Sequence, residues 1–405
     1  MKSYRNFKQQ YLLLALCPLS FSLPLSLSNF LKVRTKKNLY LWGIFYIIAL
    51  SLIYPNYDTM LRFWNVQNHS TSSFFEGDPL TNLIRLFSPI IDCYYFFILY
   101  WILTLFLFYE SIIKKERLNL FISCLVFFGL SLTNLMNLNY FTFATCFSLY
   151  SFEKYKERYF YLILVIIISY LLHPGILMVL MPSVCLYFLF KREMFIYAIF
   201  YCILFYIFCH ILFHGYELNV PTDFVFLTDL TKSFDNYTNL DNVWGGLGMS
   251  IGIKHKLWNL CLWIIFIITG YYAFRNYRRI FKNVCFSYFI ISIILLLNVI
   301  HLYTMSERIK IVAIISACSL LALLDKDERL SSLIKSVVSI VLIGQFFLSA
   351  IAFPHPRADL FKEPFSSYEV TSNGIIVPSF LLVFDVHHFG FNDEYLKLNG
   401  KNRVK

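Results

Sequence analysis

Apolar residues along this chain do not alternate with polar ones but run together, mostly in stretches of about 16 to 24 residues, close to what a helix needs to cross a bilayer, with 140–152 and 159–173 the short ones. The stretches fall at 11–31, 39–55, 89–113, 118–133, 140–152, 159–173, 174–190, 194–213, 257–274, 284–303, 309–324 and 332–353. They predict an all-α, polytopic integral membrane protein with about 11 to 12 transmembrane helices. Polar connections at 56–88 and 214–256 break the series, so residues 1–353 read as a single membrane domain with two sizeable outer loops. Residues 354–405 read as an outer carboxyl-terminal tail, whose apolar stretch from Ile375 to Phe384 is too short to span and is interrupted by Pro378.

Lysine and arginine orient the array, because basic residues in short loops stay on the cytoplasmic side. Clusters occur at Lys32, Arg34, Lys36 and Lys37, at Lys114, Lys115 and Arg117, at Lys154, Lys156 and Arg158, and at Lys191 and Arg192. They continue at Arg275, Arg278, Arg279 and Lys282, and at Lys326 and Arg329. Every second connection is basic. Those between, at 56–88, 134–139, 173–175, 214–256 and 304–308, carry few basic residues for their length and face the other side. The amino end departs from this alternation, since Lys2, Arg5 and Lys8 and the 32–37 cluster flank the first apolar run on both sides. A cleaved signal peptide would leave that cluster outside, so residues 11–31 either span against the charge rule or are broken by Pro18 and Pro24 into a re-entrant hairpin.

Composition agrees with the periodicity. With 58% hydrophobic and 15% charged residues and a mean hydropathy of +0.62, the chain cannot hide its apolar surface in a water-soluble core. The net charge of +11 belongs to short clusters at helix ends, and so predicts sidedness in a lipid bilayer and no nucleic-acid partner. All 10 cysteines lie within or at the rim of apolar stretches, where they act as small hydrophobes, and no disulfide framework is expected.

The groups able to do chemistry gather between Tyr54 and Pro89. Asp58, Arg62, His69, Glu76, Asp78 and Arg85 are interleaved there with Tyr57, Phe63, Trp64, Phe74, Phe75 and Phe87. Three- and four-residue spacing of the apolar positions predicts short amphipathic helices over Thr59 to Trp64 and Leu80 to Phe87, lying at the membrane surface. A plain surface anchor would use the same pattern. The loop 214–256 is acidic and then glycine-rich around Trp244-Gly245-Gly246-Leu247-Gly248; with neither a preceding strand nor a following lysine it is no phosphate cradle, and reads as a flap over a cavity or as an unstructured connector. His210, His214 and Glu217, and likewise Asp385, His387 and His388, have metal-ligand types at workable spacing, but helix ends and tail position weaken both, and no metal or other cofactor is expected. His173 at a turn before Pro174-Gly175, and Glu307 with Arg308 at the start of a late helix, are ionisable groups where a membrane protein seldom puts them.

The order of these features resembles the EpsG family of Wzy-type polysaccharide polymerases. The resemblance rests on Tyr-Pro-Asn-Tyr-Asp at 54–58, a long outer loop ending in Asp78-Pro79-Leu80, a Leu-His-Pro-Gly turn at 172–175 and the late outer Arg308, and it covers most of residues 39 to 324. The chain departs where relatives often place an arginine before a small-residue helix, since Asn134, Asn137, Asn139 and Tyr140 precede Phe143-Ala144 here. The resemblance implies an enzyme of a bacterial cytoplasmic (inner) membrane that joins polyprenyl-diphosphate-linked oligosaccharide units into O-antigen, capsule or exopolysaccharide on the outer face. It implies a flippase and a chain-length regulator as partner proteins. A sugar hydroxyl of one unit must attack the anomeric carbon of another while polyprenyl diphosphate leaves, which calls for a base and for positive charge at the leaving group. Asp58, Glu76 and His173, with Asp78 near them, are the candidate bases. Arg62, Arg85 and Arg308 are the candidate diphosphate ligands, because a guanidinium forks onto phosphate oxygens and keeps its charge. Tyr57, Trp64 and Trp244 offer faces on which sugars stack. A flippase or exporter of the same lipid-linked glycan is the alternative, and a membrane acyltransferase modifying it a further one.

Overall fold

The computed structural model describes residues 79–87, 140–213, 253–276 and 280–325, together with scattered helical positions between 99 and 110. Every regular element among them is helical. They are α1 Pro79–Phe87, α2 Tyr140–Tyr155, α3 Tyr159–Leu172, α4 Leu177–Lys191, α5 Phe195–Phe213, α6 Ile253–Arg275, α7 Val284–Val299 and α8 Tyr303–Asp325. Helix α1 and the first turn of α2 belong to one compact unit; the rest of α2 and α3 to α8 belong to a second.

Local chemistry sets the joints of the second unit. Helix α3 stops because Pro174 disfavours the helical conformation of the residue before it, and His173 accordingly adopts an extended backbone at φ −166°, ψ 113°. Its backbone N–H still reaches Ser169 O at 3.0 Å, and a 3-10 turn over Pro174–Ile176 then opens α4 with proline at the position that needs no N–H. At the far end of α4, Met194 N donates to Leu189 O and Glu193 N to Phe190 O, both at 3.0 Å, closing the helix with Glu193 in the left-handed region at φ 59°. Asn283 caps α7 by accepting from Cys285 N at 2.8 Å.

Helix α7 is the spine. It packs on α8, α4 and α5, and most of its side chains are buried. Tyr288, fully buried on α7, donates to Ser148 Oγ on α2 at 3.0 Å, and Ser148 in turn donates to Thr145 O at 3.0 Å. Phe152 fills the space beside this chain of bonds, edge-on to Tyr187 of α4 with ring centres 5.3 Å apart. The hydroxyls of Thr269, Ser292, Ser316 and Ser319 donate to carbonyls three or four residues back in their own helices, which lets polar side chains sit in an apolar interior.

The outer helices invert the usual pattern of a water-soluble bundle. Large apolar side chains of α3, α5 and α6 point away from the protein, among them Phe160, Ile163, Phe200, Ile203, Phe208 and Ile267, and Ile196 and Phe274 are 81% and 76% exposed. Exposed apolar side chains in this number are what a protein-facing or membrane-facing surface presents. Among the described residues two segments, Pro174–Lys191 and Phe195–Phe213, are long and apolar enough to cross a membrane.

Five of the apolar runs agree with the helices α2 to α6 to within a few residues, and Leu80 to Phe87 forms α1 as its spacing predicts. One connection is displaced. Residues 304–308, read as an outer loop, are the first turns of α8, and the turn falls at Ile300–Leu302 instead. Polarity placed the loop there, yet Thr304-Met305-Ser306-Glu307-Arg308 contains no helix breaker, and a helix tolerates charges in its first turns. Helix α6 likewise begins at Ile253, so Lys254, His255 and Lys256 are helical and not part of the loop assigned to 214–256. The runs at 11–31, 39–55, 118–133 and 332–353, the helix expected over Thr59 to Trp64 and the tail 354–405 lie outside the described residues.

Candidate functional site

The connections of the second unit sort to its two ends. At one end Lys191 pairs with Glu157, and Lys282 Nζ with Glu193 Oε1 at 2.9 Å, which ties the α2–α3, α4–α5 and α6–α7 connections together. Phe190, Phe195, Phe281 and Phe286 pack beneath these pairs, with Phe190 and Phe281 stacked at 4.8 Å. All three connections are basic ones. At the opposite end lie the His173 turn, the end of α5 and the α7–α8 turn, where His301 Nε2 meets Phe213 O at 3.2 Å. Arg308, in the second turn of α8, belongs to this end and is half-buried.

Two of the predicted site residues, His173 and Arg308, therefore stand at one end of one unit. The geometry of His173 also limits what it can do. Its Nδ1 accepts the Gly175 N–H at 3.1 Å, so the neutral ring carries its proton on Nε2 and is a donor there. A donor suits a leaving oxygen or a sugar hydroxyl oxygen. In this tautomer the acceptor nitrogen Nδ1 faces the Gly175 N–H and the ring's donor is Nε2–H.

Arg85 stands on α1, in the first unit. Its Nη1 donates to Asn82 Oδ1 at 3.2 Å, one turn back on the same face, while Asn82 is 7% exposed. Asp58, Glu76, Asp78, Arg62, Tyr57, Trp64 and Trp244 lie outside the described residues, as do His214 and Glu217. Helix α5 ends at Phe213, three residues after His210. Among the described residues there is no group of three or more metal-ligating side chains.

Two groups here escaped the sequence reading. Lys310, buried at 7% exposure on α8, lies on the side of the helix opposite Arg308 and shares a face with buried Ser306 and Ala313. It is the first charge inside the apolar run 309–324, and an ionisable residue in such a run is a signal on its own. Asn298 is fully buried near the end of α7, with Nδ2 donating to Ile294 O at 2.9 Å and Oδ1 without a hydrogen-bond partner. Nothing in the run 284–303 marked it beyond a lone amide among aliphatic residues.

Set beside known proteins, the chain matches no family model, no curated protein and no solved structure.

Proposed function

We propose that this chain is a multi-pass membrane enzyme that joins polyprenyl-diphosphate-linked oligosaccharide units into a surface polysaccharide on the outer face of a bacterial inner membrane. The observation that carries this reading is Arg308, half-buried in the second turn of α8 at the end of the bundle opposite the basic connections. If the basic end is cytoplasmic, that arginine stands at the outer face, at the depth of a lipid-linked diphosphate, with the His173 turn at the same end. The order of motifs from Tyr54 to Arg308 supports the same reaction.

In the reaction a hydroxyl of the acceptor sugar attacks the donor's anomeric carbon, the bond to the diphosphate oxygen breaks, and the hydroxyl proton passes to a base. Arginine opposes the charge that develops on the diphosphate, a role proposed for Arg308 from its place in its own unit and for Arg85 and Arg62 from the sequence alone. His173, with its proton on Nε2, donates to an oxygen of the donor. The base is then Asp58 or Glu76, with Asp78, Tyr57, Trp64 and Trp244 holding the sugars. No cofactor enters these steps.

The alternative, export or flipping of the same lipid-linked glycan, is favoured by one observation, the buried Lys310 on α8, since transporters place charges between packed helices. Surface glycan from a strain lacking the gene separates the two. Single repeat units displayed on the carrier are expected. Units trapped on the cytoplasmic side would mean a flippase.

A further inference from the structure

At the basic end of the second unit, cations are used in two different ways. Glu153 pairs with Lys156 at 2.9 Å, Glu157 with Lys191, and Glu193 with Lys282 at 2.9 Å. Lys154 and Arg158 interleave with these residues in sequence, yet among the described residues neither meets a carboxylate. Both are exposed, and both rest on tyrosines instead. Lys154 Nζ donates to Tyr150 Oη at 3.3 Å and lies over the rings of Tyr150 and Tyr155, 5.4 and 5.3 Å from their centres. Arg158 Cζ lies over the ring of Tyr161 at 5.7 Å. Tyr155 and Tyr161 stack on each other with ring centres 5.1 Å apart, so one tyrosine pair carries both cations at the start of α3.

A ring face holds a cation without cancelling its charge, and it limits the rotamers of a long side chain. Tyr161 also begins an apolar strip. Tyr161, Leu164 and Ile168 follow one another at i, i+3 and i+7 on one side of α3, all exposed, with Phe160 edge-on to Tyr161 at 5.9 Å. The strip runs about 10 Å along the helix. Two held cations at the head of such a strip match the two parts of one molecule, a phosphodiester at the charges and an acyl chain along the helix. Tyrosine suits that boundary, because its ring is apolar and its hydroxyl polar. A free phosphate would meet the charges and leave the strip unused, and a zwitterionic headgroup would bring its own ammonium against them.

We propose that Lys154 and Arg158, held by Tyr155 and Tyr161, bind the phosphate of an anionic phospholipid whose acyl chain lies along α3. The site requires the chain to lie in a bilayer. It stands at the end opposite His173 and Arg308 and does not depend on the polymerase reading.

The full chain, purified in detergent, is titrated with dioleoyl phosphatidylglycerol, with dioleoyl phosphatidylcholine and with inorganic phosphate. Bound lipid is counted by native mass spectrometry, and the unfolding midpoint is recorded alongside. Phosphatidylglycerol is expected to be retained in preference to phosphatidylcholine and to raise the midpoint, and inorganic phosphate to leave it unchanged. Lys154→Gln with Arg158→Gln is expected to weaken phosphatidylglycerol binding by roughly tenfold or more, since each basic residue at a lipid surface adds to the attraction. Its lipid-free midpoint should match wild type, because only exposed side chains are replaced. Arg192→Gln with Arg275→Gln removes the same charge from exposed positions at the same end and is expected to bind the lipid as wild type does. Equal loss in the two double variants would mean that net charge alone attracts the lipid, and would overturn the proposal. Equal binding of the two lipids would overturn it as well. A midpoint raised as far by inorganic phosphate as by phosphatidylglycerol would make this a site for a free anion and not for a lipid.

Discussion

Among single residues, what matters is which groups are cations by necessity and how they are held. Arg308 is read as a fork on a diphosphate, so its shape matters as much as its charge. Arg308→Lys should shorten the polymer and slow chain growth by roughly tenfold or more, although the charge is kept. Full-length polymer at wild-type protein level, resolved by gel electrophoresis of surface glycan, would make the arginine an interfacial anchor only. Glu193 gives a pH signature of a different kind. The hydrogen bond from Lys282, and then its charge, hold this carboxyl below its ordinary value. The stabilisation from the pair is therefore complete above the ordinary carboxylate range and is lost as pH falls through the lowered value in the folded protein. Glu193→Gln should unfold at a lower temperature than wild type near pH 7, by a small margin because the pair is exposed, and the gap should close on acidification. Thermal unfolding of the detergent-solubilised protein across that range checks it, and a gap that persists in acid would mean that the pair is not its source.

At the element scale the packing of α2, α4 and α7 rests on a few contacts that can be removed one at a time. Phe152 is fully buried between Tyr187 and Tyr288, and its deletion to alanine leaves a cavity as well as lost burial. Phe152→Ala should cost about 3–5 kcal/mol, against about 1 kcal/mol for Tyr288→Phe, which removes only the hydroxyl bonded to Ser148. Unfolding midpoints in a common detergent would give the order, and a Tyr288→Phe variant as damaged as Phe152→Ala would contradict it. The helices themselves were legible in the apolar runs, because a run of that length dictates a helix whatever its neighbours. Their joints were less so. Polarity at 304–308 suggested a loop, but a helix start needs only the absence of breakers, and the turn came at Ile300–Leu302. The burial of Lys310 and Asn82 was not legible, since spacing along one helix does not say what packs over it.

At the scale of the whole molecule, every second connection is basic, and the described connections of the second unit sort to two ends in the same alternation. The proposed reaction rests on an order of motifs. Most candidate bases and stacking residues fall in the loops 56–88 and 214–256, where no periodicity specifies a position. A test of sidedness comes from cysteines introduced at Ser72, Asn239 and Lys115. Over the background of the native thiols, the first two should react in intact cells with a reagent that cannot cross the membrane, and the third should not. Labelling at Lys115 with Ser72 protected would invert the protein and place its candidate site in the cytoplasm.

If this chain makes glycosidic bonds between lipid-linked units, the reaction can be rebuilt from purified parts. The purified protein is placed in vesicles whose only substrate is a polyprenyl-diphosphate-linked repeat unit, and products are followed by gel ladder and by release of polyprenyl diphosphate. A ladder of increasing length is expected, with one polyprenyl diphosphate released for each bond formed and with the ladder lost in Asp58→Ala and Arg85→Ala but not in Ser70→Ala or Thr71→Ala. Movement of the intact lipid-linked unit between leaflets, with no ladder and no diphosphate released, would contradict it.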